Sequence, residues 1–293
     1  MPMPQALFWI TNASIKSLFL PLKGPIQVIT PKELPIALKN NPFSSIYLWV
    51  DDPQLAQKTK DLAAQFPEKE ITFLETQEEA LSLGLSLLAD GLAPEDIERL
   101  SFEIIGNLMP SVPKDPLLLP VLKRVIHATG DPSFGRTLCF SSNALSFGME
   151  ALKAGKHILV DVEMLSAGVN KKRLSALGGK VLCGLSEVKS PLPGKTRTET
   201  AIETMLAKHP DIGIVAVGNA PTALLATLRF LRKNPRELLI VGLPVGFVKA
   251  AETKLLLSLH KGPYITNFGP RGGTPAACAI LNALIGLAHE KEA

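Results

Sequence analysis

Five histidines carry the acid–base chemistry available to this 293-residue chain near neutral pH: His127, His157, His209, His260 and His289. His209 precedes a proline, His260 stands near an expected helix end and His289 near the terminus, all positions that suit the surface. His157 follows Gly155-Lys156 at an expected strand start. His127 is placed differently. It ends the helical run Leu118-Leu119-Pro120-Val121-Leu122-Lys123-Arg124-Val125-Ile126 and meets the breaker Ala128-Thr129-Gly130-Asp131-Pro132. A helix C-terminus stabilises a protonated imidazole, and Arg124, one turn earlier, opposes that charge. The balance makes His127 the candidate proton donor.

Other chemistries fall back. The histidines and cysteines show no metal-ligand spacing. Cys139, Cys183 and Cys278 are far apart and form no C-x-x-C pair, which favours a reducing compartment over a disulfide framework. No G-x-S-x-G elbow, G-x-x-x-x-G-K-[ST] loop or G-x-G-x-x-G fingerprint is present. The carboxylates form no convincing catalytic pair.

A second set of candidates follows the apolar runs. Runs at residues 157–162, 180–185, 212–217, 237–242 and 264–268 read as strands. Helical stretches at 171–177, 198–208, 222–231, 248–259 and 275–287 fall between or after them, and 117–126 and 143–154 add helices ahead of the first strand. Alternation with short connections predicts a doubly wound parallel sheet with helices on both faces. Ligands in such sheets lie beyond the carboxyl ends of the strands. There the chain has Gly218-Asn219-Ala220-Pro221-Thr222, Leu243-Pro244-Val245-Gly246-Phe247 and Gly269-Pro270-Arg271-Gly272-Gly273-Thr274. Glycine lets backbone approach a ligand, and a helix start offers unpaired N–H groups. Arg271 adds a planar cation. The set suits carboxylates or phosphates, although Gly and Pro at such junctions are also ordinary turn chemistry.

Residues 1–92 read as a small α/β extension, with strands at 26–29, 45–50 and 71–74 and helices at 53–66 and 76–89. Asp90-Gly91-Leu92-Ala93-Pro94 marks the boundary, so the second domain is expected over 93–293. Hydrophobic residues make up 46% and aromatics only 5%, so aliphatic side chains must build the core. Residues 1–94 hold 7 Lys/Arg against 10 Asp/Glu, whereas the remainder holds 24 against 17 and suits an anionic partner. No dense basic run with aromatics supports nucleic-acid binding. No apolar run reaches membrane-span length, and the opening MPMPQALFWITNASIKSLFL has neither a basic start nor a long apolar core. The expectation is a cytoplasmic protein.

From about Ala93 to Gly286 the chain resembles the precorrin-8X methylmutase family, also called cobalt-precorrin-8 methylmutase. The resemblance rests on an ordered set of motifs. They are Ser101-Phe102-Glu103-Ile104-Ile105, Arg124-Val125-Ile126-His127-Ala128-Thr129-Gly130-Asp131, Ala151-Leu152-Lys153-Ala154-Gly155 and Asp161-Val162-Glu163-Met164. Thr196-Arg197-Thr198, Gly218-Asn219-Ala220-Pro221-Thr222-Ala223-Leu224, Gly242-Leu243-Pro244-Val245-Gly246-Phe247-Val248 and the Gly269–Thr274 turn follow.

The resemblance implies a flavodoxin-like sheet, a homodimer and movement of a methyl group from C-11 to C-12 of a polycarboxylate corrinoid, with no separate cofactor and no metal site. It implies that His127 is the acid–base residue, and that Ser101 and Arg197 contact substrate. Thr196, Asn219, Ala220, Thr222, Gly246, Arg271, Gly272 and Gly273 complete the expected substrate contacts. One departure stands out: Pro270 places Arg271 one position later than the basic residue of the family's turn. Residues 1–92 lie outside the resemblance. A fused cobalt chelatase would generally use histidine ligands, and this segment has none, so a structural, dimer-supporting or degenerate role is expected. Two readings compete with the enzyme: a corrinoid carrier without catalysis and a nucleotide-binding regulatory domain.

Overall fold

The computed structural model describes residues 5–16, 26–43, 45–89, 93–109, 113 and 115–289. The chain divides into two units, Met1–Ala93 and Pro94–Ala293. Residues 90–92 of the expected boundary lie outside the described residues.

In the first unit the order is β1 (Gln5–Ile10), α1 (Ala13–Lys16), β2 (Ile26–Ile29), α2 (Leu34–Asn40), β3 (Ser45–Val50), α3 (Pro53–Ala63), β4 (Glu70–Phe73) and α4 (Gln77–Ala89). Its strands form one parallel sheet in the order β2-β1-β3-β4. Phe8, Ile10, Ile46 and Leu48 from the central strands are buried against Leu34 and Leu38 of α2. Strand β1 and helix α2 were not expected from the sequence. Strand β1 is a run of five apolar residues after Gln5 without alternation, and α2, at seven residues with a proline in its first turn, is too short to show a helical period.

The second unit opens with α5 (Pro94–Leu108), α6 (Leu118–Thr129), β5 (Leu138–Phe140) and α7 (Ala144–Lys153). It continues with β6 (His157–Val160), α8 (Glu163–Gly168), α9 (Lys171–Ala176), β7 (Val181–Cys183), α10 (Arg197–Lys208) and β8 (Ile212–Val217). It ends with α11 (Pro221–Lys233), β9 (Leu239–Gly242), α12 (Ala250–Ser258), β10 (Tyr264–Asn267) and α13 (Thr274–His289). The sheet order is β5-β10-β9-β8-β6-β7.

The sheet is not wholly parallel, which corrects the sequence expectation. Five strands run parallel, and β5 pairs antiparallel with β10 at the edge. At three residues β5 is too short to show a period of its own. Strand β8 is buried along its whole length. Its alternate residues face two apolar layers: Ile214 and Ala216 join the layer of α7 and α13, whereas Val215 and Val217 join that of α10 and α11. Such double burial makes a continuous apolar run in sequence. The chain leaves β6 toward β7 on one side and returns to β8 on the other, so the topological switch lies between β6 and β8.

Candidate active site

Helix α6 runs three residues past Ile126, to Thr129. Gly130 ends it in the left-handed conformation at φ 62°, which only glycine adopts without strain. His127 therefore stands in the last turn, solvent-exposed, while Val125 and Ile126 beside it are buried. Helix α5 supplies its partner. Ser101 Oγ lies 2.7 Å from His127 Nδ1, and the Phe102 ring meets the imidazole edge-on with centroids 5.6 Å apart. Arg124 bonds Glu98 at 3.2 Å, and its guanidinium lies 5.4 Å from the centroid of the same Phe102 ring that meets His127. Among the described residues, Nε2 of His127 has no hydrogen-bond partner.

The turn after α6 is tied to the turn after β10. Asp131 Oδ1 accepts from the Ser133 backbone and hydroxyl at 2.8 and 2.6 Å. Its other oxygen pairs with Arg271, which also donates to Ser133 Oγ at 3.0 Å and lies 5.5 Å from the Phe134 ring centroid. The Ser133 hydroxyl and the Arg271 charge outweigh burial and hold the Asp131 carboxyl below its ordinary value. The guanidinium expected to meet a substrate carboxylate thus already has a partner.

The turns after β9 and β10 interlock. Gly246 donates its N–H to Pro270 O at 3.1 Å, and Gly273 donates to Leu243 O at 2.8 Å. A Cβ on Gly272 would fall 2.4 Å from Leu243 O, so glycine is required there by close approach. Three expected site residues, Gly246, Gly272 and Gly273, shape one continuous backbone surface beside Arg271.

A second group gathers at the starts of α10 and α11. The Thr196 hydroxyl lies 3.0 Å from that of Thr198 and 3.1 Å from that of Thr222. Thr196 also caps α10: its hydroxyl accepts from Glu199 N at 3.2 Å, and Glu199 accepts from Thr196 N at 2.8 Å. Arg197 is exposed and donates to Leu185 O at 3.0 Å. Asn219 is exposed beside them. Gly218 bridges to the first group, since a Cβ there would stand 2.8 Å from Cα of Thr274 at the start of α13.

One expectation needs correction. The N–H groups of Gly218, Asn219 and Ala220 are not free for a ligand. All three donate to the carboxylate of Asp161, at 3.1, 2.8 and 2.8 Å. Asp161 follows β6 at the topological switch and is 1% exposed. An internal carboxylate therefore fills the anion seat that this turn would offer. Burial raises the Asp161 pKa, with the three N–H bonds acting against the rise. Asn219 and Ala220 can meet a ligand by side chain or carbonyl, not by N–H. The signal was an Asp placed just past a β-branched run.

Two histidines also depart from expectation, because His209 and His260 are half-buried rather than on the surface. His209 caps α10, and burial pushes the His260 pKa down. Lys254 and Asn267 went unassigned. Both are fully buried beneath the Gly269–Gly273 turn. Lys254 shares the buried stripe of Ala250, Thr253 and Leu257 on α12, a helical spacing that was readable. Among the described residues no cluster of His, Cys, Asp or Glu suits a metal ion.

The sequence model of the precorrin-8X methylmutase family matches residues 96–287, which spans α5 to α13 and both groups of site residues. The chain belongs to the precorrin-8X methylmutase family. The precorrin-8X methylmutase of Pseudomonas aeruginosa is 40% identical over 210 residues, covering 68% of this chain and 97% of that protein. The cobalt-precorrin-8 methylmutase of Priestia megaterium is 39% identical over 195 residues, covering 65% and 87%. A solved precorrin-8X methylmutase from Thermus thermophilus superposes with a TM-score of 0.60 at 39% identity, covering 66% of this chain and 96% of that one. The methylmutase match thus lies in the second unit.

Proposed function

We propose that this chain is an isomerase of cobalamin biosynthesis that moves a methyl group from C-11 to C-12 of precorrin-8 or its cobalt form, giving hydrogenobyrinate or cobyrinate. The observation that carries the reading is the tie between Asp131 and Arg271, which brings the Ser101–His127 pair to the edge shaped by Gly246, Gly272 and Gly273. An acid–base group and a cation on glycine-shaped backbone suit a conjugated ring rimmed with carboxylates.

An intramolecular methyl shift needs placement and one proton, not an external group. As the imidazolium, the acid form of the ring, His127 donates Nδ1–H to Ser101 Oγ and keeps a second, transferable proton on Nε2, whose loss leaves a neutral ring. His127 lends that proton to the conjugated ring, which weakens the bond at the departing carbon, and recovers it as product forms. Arg271, Arg197 and Asn219 take substrate carboxylates, and Thr196, Thr198 and Thr222 supply hydroxyl contacts at the second group.

The parallel strand order β7-β6-β8-β9-β10 supports a flavodoxin-like reading of the fold. The exposed apolar side chains Phe247 and Val248 of the turn after β9 and Leu255, Leu256 and Leu259 on and just after α12 support a homodimer. Among the described residues no helix is long and apolar enough to cross a membrane, which agrees with a cytoplasmic enzyme. Residues 1–92 are read as a structural or dimer-supporting unit beside the methylmutase domain at 93–293.

The test is incubation with metal-free and cobalt-bearing precorrin-8, followed by optical spectra. Conversion of either substrate to its methyl-shifted product is expected. Binding of product with no spectral change of substrate would favour the carrier reading.

A further inference from the structure

Helix α12 buries a charge at a place where packing would be served by an apolar side chain. Lys254 is 0% exposed, and among the described residues it has no ion-pair partner. Burial pushes its ammonium down to about 8, the direction expected of a cation removed from water without a counter-ion. Its Nζ donates to Asn267 Oδ1 at 3.2 Å and to the backbone carbonyl of Arg271. Asn267, also 0% exposed, donates its amide to that same carbonyl at 2.8 Å and to Phe268 O at 3.3 Å. Two buried donors thus converge on one carbonyl, immediately before Gly272. The far side of the turn is held by Gly246 N on Pro270 O and Gly273 N on Leu243 O. The Arg271 side chain is held by Asp131 and Ser133. Backbone and side chain of the same residue are therefore fixed from opposite directions.

We propose that Lys254, together with Asn267, is a positioning residue for the methyl shift: it holds the backbone of the Gly269–Gly273 turn so that Arg271 meets a substrate carboxylate in one place. The proposal rests on the reading of Arg271 as a substrate contact. Lys254 touches no substrate itself. An uncompensated buried ammonium is a poor stabiliser, and replacing such a group by an apolar one of similar volume is often neutral or favourable. Its task lies in the turn it shapes.

The experiment is a double-mutant cycle on the full chain, reading product affinity by optical titration with cobyrinate and hydrogenobyrinate, together with kcat/KM and Tm. Lys254→Met is expected to keep or raise Tm while weakening product binding and kcat/KM about ten-fold, since small displacements of a binding group cost that much or more. In the Arg271→Ala background the same change is expected to cost less than about two-fold, because the two residues act as a unit. Lys254→Gln, which keeps an N–H donor, is expected to restore most of the loss. Equal losses in both backgrounds, or undiminished binding by a folded Lys254→Met, would overturn the proposal. Asn267→Ala in the same two backgrounds reads the other donor and decides the matter should Lys254→Met fail to fold. His127→Ala is expected to lose turnover and keep product affinity, so a failure of the acid–base assignment is told apart from a failure here. Should the unaltered protein bind neither product, the methylmutase reading falls and takes this proposal with it.

Discussion

Ser101 Oγ stands 2.7 Å from Nδ1 of His127, and it reaches there from a different helix. The contact binds one imidazole nitrogen and leaves the other facing outward, which assigns the two nitrogens separate tasks. Ser101→Ala removes that assignment without removing the acid. A loss of about ten-fold in kcat with little change in KM is expected, smaller than the 10²–10⁴-fold attached to an acid–base group itself. Steady-state kinetics on the purified variant check it. A change in KM alone would make Ser101 a substrate contact instead.

Asp161 offers a stability test. Its carboxylate accepts three backbone N–H bonds at the switch between β6 and β8. Asp161→Ala leaves these donors unpaired in a buried place, at about 1 kcal/mol or more each. A total near 3 kcal/mol corresponds to a fall in Tm of roughly 6–12 °C for a unit of this size. Thermal unfolding followed by circular dichroism reads it. A fall under about 2 °C would mean that water replaces the carboxylate. The pH sign is also set. Because the folded-state pKa lies above the ordinary 3.8, this group's contribution to stability declines as pH rises from 3.8 through the folded value. Asp161→Asn should lack that decline.

The Asp131–Arg271 tie makes a contrasting case. Both side chains are more than a third exposed or close to it, so the ion pair contributes less than about 1 kcal/mol. Asp131→Asn is expected to leave Tm almost unchanged and to alter KM by a few-fold, since Arg271 loses its fixed direction. The Asp131 pKa is lowered, so its contribution is present above 3.8 and is lost as pH falls through the lower folded value. KM measured from pH 5 to 9 should therefore show no step from this group. A large fall in Tm would make the tie structural.

The boundary between the units predicts an active fragment. The family match begins at residue 96, and the curated relatives quoted above are covered over 87% and 97% of their length by the matching part. A chain of residues 94–293 is expected to fold and to retain turnover within a few-fold. An insoluble or inactive fragment would show that the first unit is required for the second to work.

Legibility varied with how local the cause was. Strand β8 was read at its true limits, because burial on both faces writes an unbroken apolar run. Helix α6 was read too short, since its last turn depends on the left-handed Gly130 rather than on apolar spacing. Strand β5 exists because β10 offers an edge, a tertiary cause that three residues of sequence do not carry. His127 stood out by its position before a breaker. Its bond to Ser101, 26 residues away, did not, and neither did the occupation of the Gly218–Ala220 amides by Asp161. Glycine-rich turns announce where backbone comes close. They do not announce what has already filled the space.

The most direct test of the account is the turnover of His127→Ala with both precorrin-8 substrates, beside its affinity for the products. A loss of at least about 10²-fold in kcat with product affinity unchanged is predicted for the residue that lends the proton. Undiminished turnover by the folded variant would contradict it.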